Sequence, residues 1–222
     1  MSLISDVVAG TVITVTWGNG IRDQVIATFP DEATRNASIP GAPEGRYADC
    51  ADLDALTRGN GATWDIIGHK PLFASLSANA AGITNNTVLG NIAGLSVPVL
   101  ANRTYQMYAD IVYDAAGGAG AAQMKAGWTG PAGATMIWDN IGLVVNGASA
   151  VSGTTTYDVS SISDARSFGA AGVGTPVHVV INGRLAIAAT AGNLNFQAAQ
   201  VVSSANATTI RAGSYIRLVI LS

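Results

Sequence analysis

Residues 104–113 read TYQMYADIVY, a segment in which apolar side chains recur at every second position. Alternation with a period of two is typical of a β-strand that buries one of its two faces. The segment therefore predicts a strand, and the side chains expected in its buried row are Tyr105, Met107, Ala109, Ile111 and Tyr113.

Further strands are predicted on both sides of this segment. They are short runs rich in Val, Ile, Thr and Tyr, bounded by Gly, Pro, Asn or Ser residues. Their ranges are 72–77, 87–92, 122–128, 134–138, 141–145, 176–187, 193–200 and 214–221. In the last strand, Ile216, Leu218 and Ile220 are expected to point inward. A succession of strands without a helix predicts an all-β fold, an antiparallel jelly-roll sandwich.

The composition excludes several classes of protein. Only 11% of the 222 residues are charged whereas 49% are hydrophobic, the reverse of what a disordered chain needs. A net charge of −3 leaves no basic stripe for a nucleic acid. No apolar run reaches the roughly 18 residues that span a membrane, and the first residues lack the basic start of a signal peptide. We therefore expect a soluble protein, made in the cytoplasm, that binds neither nucleic acid nor membrane.

The low charge bears on the surface as well. A monomer usually depends on charged residues for its solubility. Here Ala, Gly, Thr, Ser and Asn take the place of many of them. The simplest explanation is that much of the surface faces sister subunits or a larger assembly.

Charges are distributed unevenly along the chain. Residues 1–71 hold five of the 11 Lys and Arg residues and nine of the 14 Asp and Glu residues. The change in composition lies near Lys70 and Pro71, where the proline also interrupts regular structure. We therefore predict two domains, a first module at residues 1–70 and the jelly roll at residues 71–222.

The first domain is predicted to be a small β-rich module. Its first strand covers residues 11–16, and Asp31 is the predicted N-cap of a brief helix over residues 32–37. Two more strands, 45–52 and 62–67, are expected on either side of a loop rich in Asp, Asn and Gly. So small a module has little core of its own, and we expect it to require a partner surface.

Several motifs of the second domain carry a resemblance to a known family. Residues 130–135 read GPAGAT after a tyrosine-rich strand, and residues 180–183 read VING. Residues 194–200 read LNFQAAQ, and residues 207–218 read ATTIRAGSYIRL. Together they resemble the jelly-roll domains related to tumour necrosis factor and the complement globular heads, in the form common in virion proteins of tailed bacteriophages. The resemblance implies a homotrimer packed around a threefold axis.

The first domain is similar to short modules at the start of phage tail and head-fibre proteins. The matching residues are 21–25, 34–40, 43–45 and Trp64. The resemblance implies a non-enzymatic structural protein of the virion, a capsid decoration or short head fibre. Its first domain would anchor the homotrimer to the major capsid protein or to tail proteins. The alternative is a minor tail or receptor-binding protein whose jelly-roll tip binds carbohydrate on the host surface.

Trp128 and Trp138 flank the Gly-Pro turn and are the candidate carbohydrate-binding residues. Packing in the core or at a trimer interface is one explanation for them. The other is an exposed indole ring that stacks on a sugar ring. Two Gly- and Ala-rich loops, 115–121 and 167–174, are either inert or adaptable.

No catalytic, cofactor or metal site is expected from the remaining residues. The chain has 2 His, His69 and His178, too few for most histidine metal sites, and His178 is expected to point outward from its strand. Cys50 is expected to be a half-buried strand thiol. A cluster of aspartates in one loop indicates either turn hydrogen bonds or a weak cation site. The members of this cluster are Asp49, Asp52 and Asp54.

Overall fold

The structure is a computed structural model of the chain. It describes residues 26–51, 55–69, 71–116, 123–143 and 160–221. The chain divides into two units, Met1–Lys70 and Pro71–Ser222, which we call unit 1 and unit 2. The strand predicted at residues 11–16 lies outside the described residues.

The described part of unit 1 contains a four-stranded sheet and one short helix. Its elements are β1 (Ala27–Phe29), α1 (Glu32–Ser38), β2 (Tyr47–Cys50), β3 (Ala55–Gly59) and β4 (Trp64–His69). The strands have the order β1-β2-β3-β4, and β1 runs parallel to β2 whereas the other pairs are antiparallel. The predicted helix is confirmed, because the Asp31 carboxylate accepts a hydrogen bond from the Thr34 amide at 2.6 Å, as an N-cap does.

The presence of strand β3 corrects the sequence-based prediction, which placed a loop there. It lies between β2 and β4 and pairs with both. Its inward residues are Ala55, Thr57 and Gly59, which are small and give only a weak strand pattern. A side chain at Gly59 would lie 2.3 Å from the Pro43 carbonyl oxygen, so the close approach of the chain there requires glycine.

Unit 2 contains the remaining strands. They are β5 (Leu72–Ser75), β6 (Gly90–Val99), β7 (Thr104–Asp114), β8 (Met124–Thr129), β9 (Thr135–Ile141), β10 (Ser160–Ser161), β11 (Arg166–Phe168), β12 (Val177–Ala186), β13 (Gly192–Gln200), β14 (Thr209–Ile210) and β15 (Tyr215–Ile220). The strand predicted at 141–145 is not a separate one, since Ile141 ends β9 and residues 144–145 lie outside the described part. No described helix is long and apolar enough to cross a membrane.

The strand order of unit 2 is that of a jelly roll. One sheet has the order β10-β9-β12-β7-β15-β5, with β14 also paired to β7, and the other has the order β11-β8-β13-β6. The two sheets pack as a sandwich in which β5 and β15 contact β6, and the chain crosses repeatedly between the sheets, as in the two Greek keys of a jelly roll. Strands β9 and β10 extend the first sheet beyond β12. The predicted all-β jelly-roll fold is confirmed.

The core of unit 2 follows the predicted alternation. The residues of β7 that were predicted to point inward are fully buried. Those of β15 are also buried, and only Ile220 at the end of the strand is slightly exposed. The buried members are Tyr105, Met107, Ala109, Ile111, Tyr113, Ile216, Leu218 and Ile220. Removal of apolar surface from water between the sheets is the main force that stabilises such a sandwich.

Strand β6 starts later and runs further than the predicted 87–92. Its pairing with β13 shifts register once along its length. Gly94 has a φ of 88°, a conformation that glycine adopts readily and other residues do not. Pro98 fits because β6 is at the edge of its sheet, where a missing amide donor costs little. These interruptions break the period-two pattern on which the prediction depended.

Candidate functional site

Neither of the two tryptophans predicted to bind carbohydrate presents its ring to solvent. Trp128 is 3% exposed and Trp138 is 1% exposed. Trp128 packs edge-on against Phe196, with ring centroids 5.3 Å apart. The Trp138 indole nitrogen donates a hydrogen bond to the Ser161 carbonyl at 2.8 Å. A ring without an exposed face offers no platform for a sugar, so the geometry at both rings favours the core-packing alternative.

The other candidates also have defined surroundings. His178 points outward as predicted, with 62% of its side chain exposed. Cys50 is fully buried rather than half-buried, and Arg35 Nη1 lies 3.3 Å from its sulfur. Asp49 lies on β2, and the other two aspartates of the predicted cluster lie outside the described residues. Within the described ranges, no three His, Cys, Asp or Glu side chains are grouped as metal ligands.

The outward side of the larger sheet carries exposed apolar side chains. Phe73 on β5 is 58% exposed and stacks on Tyr215 of β15, with ring centroids 5.4 Å apart. Tyr108 on β7 lies on the other side of Tyr215, at 5.9 Å. Near the opposite edge, Ile137 and Ile141 of β9 are 61% and 47% exposed. We call the outward side of β5, β15, β7, β12 and β9 the aromatic face.

The aromatic face also carries charges of both signs and a depression. Asp110 and Asp139 contribute carboxylates, and Arg184 and Arg217 contribute guanidinium groups. The depression has a volume of about 290 Å³. Its lining residues are Thr104, Thr135, Met136, Ile137, Arg184 and Ala186. Protruding rings, a recess and complementary charges on one face are suited to contact between different patches of identical subunits.

The outward side of the smaller sheet differs in chemistry. The Ser96 hydroxyl donates to Asn195 Oδ1 at 2.8 Å, and Asn195 Nδ2 donates to the Thr129 hydroxyl at 3.2 Å. Gln197 Nε2 donates to Asn91 Oδ1 at 2.9 Å. We call the outward side of β6, β13 and β8 the amide face. Amide and hydroxyl groups retain free donor and acceptor positions for water after such bonds form.

The loop that follows β11 is anchored at both ends. The Tyr113 hydroxyl donates to the Gly169 carbonyl, and the Gly174 amide donates to the Asp114 carboxylate. Arg211 Nε donates to the other oxygen of that carboxylate at 2.8 Å. Burial alone would raise the pKa of Asp114, but the hydrogen bonds from Arg211 and Gly174 outweigh it and hold the pKa below its usual value. The anchored geometry favours the inert alternative over the adaptable one for the loop predicted at residues 167–174.

Unit 1 has a buried arginine that the sequence analysis missed. Arg35 is 2% exposed, and its guanidinium carbon lies 4.7 Å from the centre of the Trp64 ring. It donates to the Thr57 hydroxyl at 3.3 Å and lies 3.5 Å from the Glu32 carboxylate. The cation–π contact and these bonds hold α1 on the sheet. An arginine on a short polar helix is usually exposed, so the sequence offered no signal for its burial.

No protein-family model and no curated protein matches the chain. Solved structures give weak similarities, three of which concern infectious bursal disease virus. A mutant VP2 protein in T=1 particles of that virus is 10% identical with a TM-score of 0.19, and the structure of its Gt strain is 12% identical with a TM-score of 0.18. Each match covers 71% of this chain, which spans only 43% and 45% of the matched chains. Similarities of this size assign the chain to no family.

Proposed function

We propose that the protein is a non-enzymatic structural protein of a tailed-bacteriophage virion and that it acts as a homotrimer of jelly rolls. Unit 2 forms the trimer, and unit 1 attaches it to the major capsid protein as a capsid decoration or short head fibre. The jelly-roll strand order and the sequence resemblance support this proposal together.

The exposure of the aromatic face is the observation that carries the proposal. Phe73, Ile137 and Ile141 are among the most exposed large apolar side chains of unit 2, and they share one side of one sheet. Exposed large apolar side chains that share one side of a sheet mark a surface that contacts another protein. Burying such a surface between subunits contributes about 25 cal/mol for each Å² of apolar surface. The aromatic face is therefore the expected contact between subunits.

The two ends of the aromatic face are suited to the head-to-tail contacts of a closed ring. A ring forms when one patch of a subunit contacts a different patch of the next subunit. The rings of Phe73 and Tyr215 lie toward β5, and the depression beside Ile137 lies toward β9. These patches differ in shape and lie near opposite edges of the sheet. Three copies arranged head to tail would cover both patches of every subunit.

Unit 1 is proposed as the attachment module because residues 1–71 hold nine of the 14 Asp and Glu residues of the chain. Charged side chains steer a module toward a partner of opposite charge and fix its orientation there. Antibody labelling of purified particles, followed by electron microscopy, tests the location. Label on the capsid is expected. Label confined to the tail would instead support a minor tail protein whose tip contacts host-surface carbohydrate.

A measurement of the oligomeric state tests the proposal. Multi-angle light scattering of the full chain at micromolar concentration is expected to give three times the chain mass of 22.4 kDa. A stable monomer under these conditions would contradict the proposal. A stable dimer would also contradict it, because the proposed assembly contains three subunits.

A further inference from the structure

Two titratable side chains form a pair on the aromatic face. His178 on β12 and Asp110 on β7 are joined by a hydrogen bond of 2.9 Å between Nδ1 and Oδ1. The Asp110 side chain is 23% exposed, whereas that of His178 is 62% exposed. His178 lies opposite Val112 in the strand register, so the hydrogen bond runs diagonally between the two strands.

The row of residues that contains Asp110 is otherwise uncharged at neutral pH. Asp110 lies opposite Tyr215 on β15 and opposite Val180 on β12. Val180 lies opposite Ile141 on β9, and Tyr215 lies opposite Ser75 on β5. The row therefore crosses the whole aromatic face and has one carboxylate at its centre.

Other titratable and charged groups surround this row. Tyr108 lies two residues along β7; partial burial raises its pKa, and Tyr215 and Asp110 raise it further, so its hydroxyl stays neutral. Arg217 on β15 lies opposite Tyr108 and thus diagonally from Asp110. The remaining charged groups are more distant; they are Arg184 on β12, Asp139 on β9, and the Asp114–Arg211 pair at the other end of β7.

Contact with a sister subunit would remove water from this row. A carboxylate that leaves water without a charged partner is strongly disfavoured. Protonation of the neighbouring imidazole lowers that cost, because the imidazolium and the carboxylate then form a charge-assisted hydrogen bond. Histidine is the side chain that ordinarily changes its charge between about pH 5 and 8. Formation of the contact therefore favours uptake of a proton by each subunit.

We propose that assembly of the trimer is linked to proton uptake at His178, so that the aromatic faces associate more tightly in mildly acidic solution than in mildly alkaline solution. The proposal rests on the function proposed above, because it requires the aromatic face to be the subunit contact. Protons bound on association favour the trimer at low pH, and that gain is lost as the pH rises. One proton for each subunit changes the association constant by about tenfold per subunit for each pH unit on the alkaline side.

The test is sedimentation equilibrium of the full chain at constant ionic strength between about pH 5.5 and about pH 8.5. The dissociation constant of the trimer is expected to rise by at least about tenfold across this interval. His178→Gln keeps a polar side chain and removes the charge change, so its dissociation constant is expected to be independent of pH. His69→Gln, at the other histidine of the chain, is the matched control and keeps the wild-type dependence.

A second variant, Asp110→Asn, removes the carboxylate that requires neutralisation and is expected to lose the pH dependence as well. A trimer whose dissociation constant does not change with pH would overturn the linkage and leave the proposed function standing. Persistence of the dependence in His178→Gln or in Asp110→Asn would also overturn it. A monomer at every pH would overturn both proposals.

Discussion

The two outward faces of unit 2 belong to the same sandwich and differ in what they present. The aromatic face exposes Phe73 and Ile137, whereas the amide face presents the hydrogen-bonded side chains of Asn195 and Gln197. Most inward residues on both sheets are apolar, because burial in one core constrains them alike. The outward residues carry no such constraint. The inward half of each strand therefore specifies the fold, and the outward half specifies what the fold contacts.

The largest effect is expected from substitutions on the aromatic face. The double variant Phe73→Ser and Ile137→Ser is expected to be a monomer at concentrations where the wild type is a trimer. Each substitution removes about 1.5–3 kcal/mol of apolar burial per side chain, and every subunit of the ring contributes both residues. Sedimentation equilibrium measures the change.

The matched control for that variant lies on the other face. Asn91→Ser and Gln197→Ser together remove a hydrogen bond of the amide face and leave the aromatic face untouched. This variant is expected to remain a trimer. If it dissociates while the aromatic-face variant stays trimeric, the two faces have been assigned the wrong way round.

A smaller effect is expected beneath both faces. Asp114→Asn removes a buried negative charge that receives hydrogen bonds from Arg211 and from the Gly174 amide. Loss of a charged pair of this kind costs about 2–4 kcal/mol of unfolding free energy. Denaturant unfolding of the trimer measures it. Asp164→Asn, in an exposed turn, is the control and should change the stability less; an equal change would contradict the role given to Asp114.

The same carboxylate predicts a loss of stability in acid. The pKa of Asp114 is lower in the folded chain than in the unfolded chain. Its contribution is therefore present above the ordinary carboxyl pKa of about 4 and is lost as the pH falls through the lower, folded value. Thermal unfolding between neutral pH and about pH 2 is expected to show a shallower acid dependence in Asp114→Asn than in the wild type. Identical dependences would contradict this assignment.

The smallest effect on the trimer is expected from a change in salt concentration. If apolar contacts hold the aromatic faces together, raising the ionic strength to about 1 M leaves the trimer intact, although the Debye length falls to about 3 Å. Light scattering at low and high salt measures this. Dissociation at high salt would show that charged residues such as Asp110, Arg184 and Arg217 hold the interface instead.

The sequence predicted the elements whose alternation is uninterrupted. The buried row from Tyr105 to Tyr113 and the inward residues of β15 were predictable because apolar and polar positions alternate without a break. Strand β6 was misplaced because Gly94 and a register shift interrupt the pattern. Trp138 shares its inward row with Met136, but the apolar Ile137 between them hid that alternation.

The candidate site was less accessible to sequence analysis than the fold. Phe73, Tyr108 and Tyr215 come from three strands that are distant along the chain, and only the pairing of β5, β15 and β7 brings them together. The contact between His178 and Asp110 depends in the same way on the register of β12 and β7. Outward positions accept many residue types, so no local pattern marks the ones that meet.

The most direct test of a subunit contact on the aromatic face is thiol labelling of the assembled protein with a maleimide. The single native cysteine, Cys50, is fully buried and contributes little background. Ile137→Cys places a thiol on the aromatic face, and Asn91→Cys places one on the amide face. Both positions are exposed in the isolated subunit. Ile137→Cys is expected to be labelled much more slowly than Asn91→Cys in the native protein and equally fast in denaturant; equal rates in the native protein would contradict burial of the aromatic face between subunits.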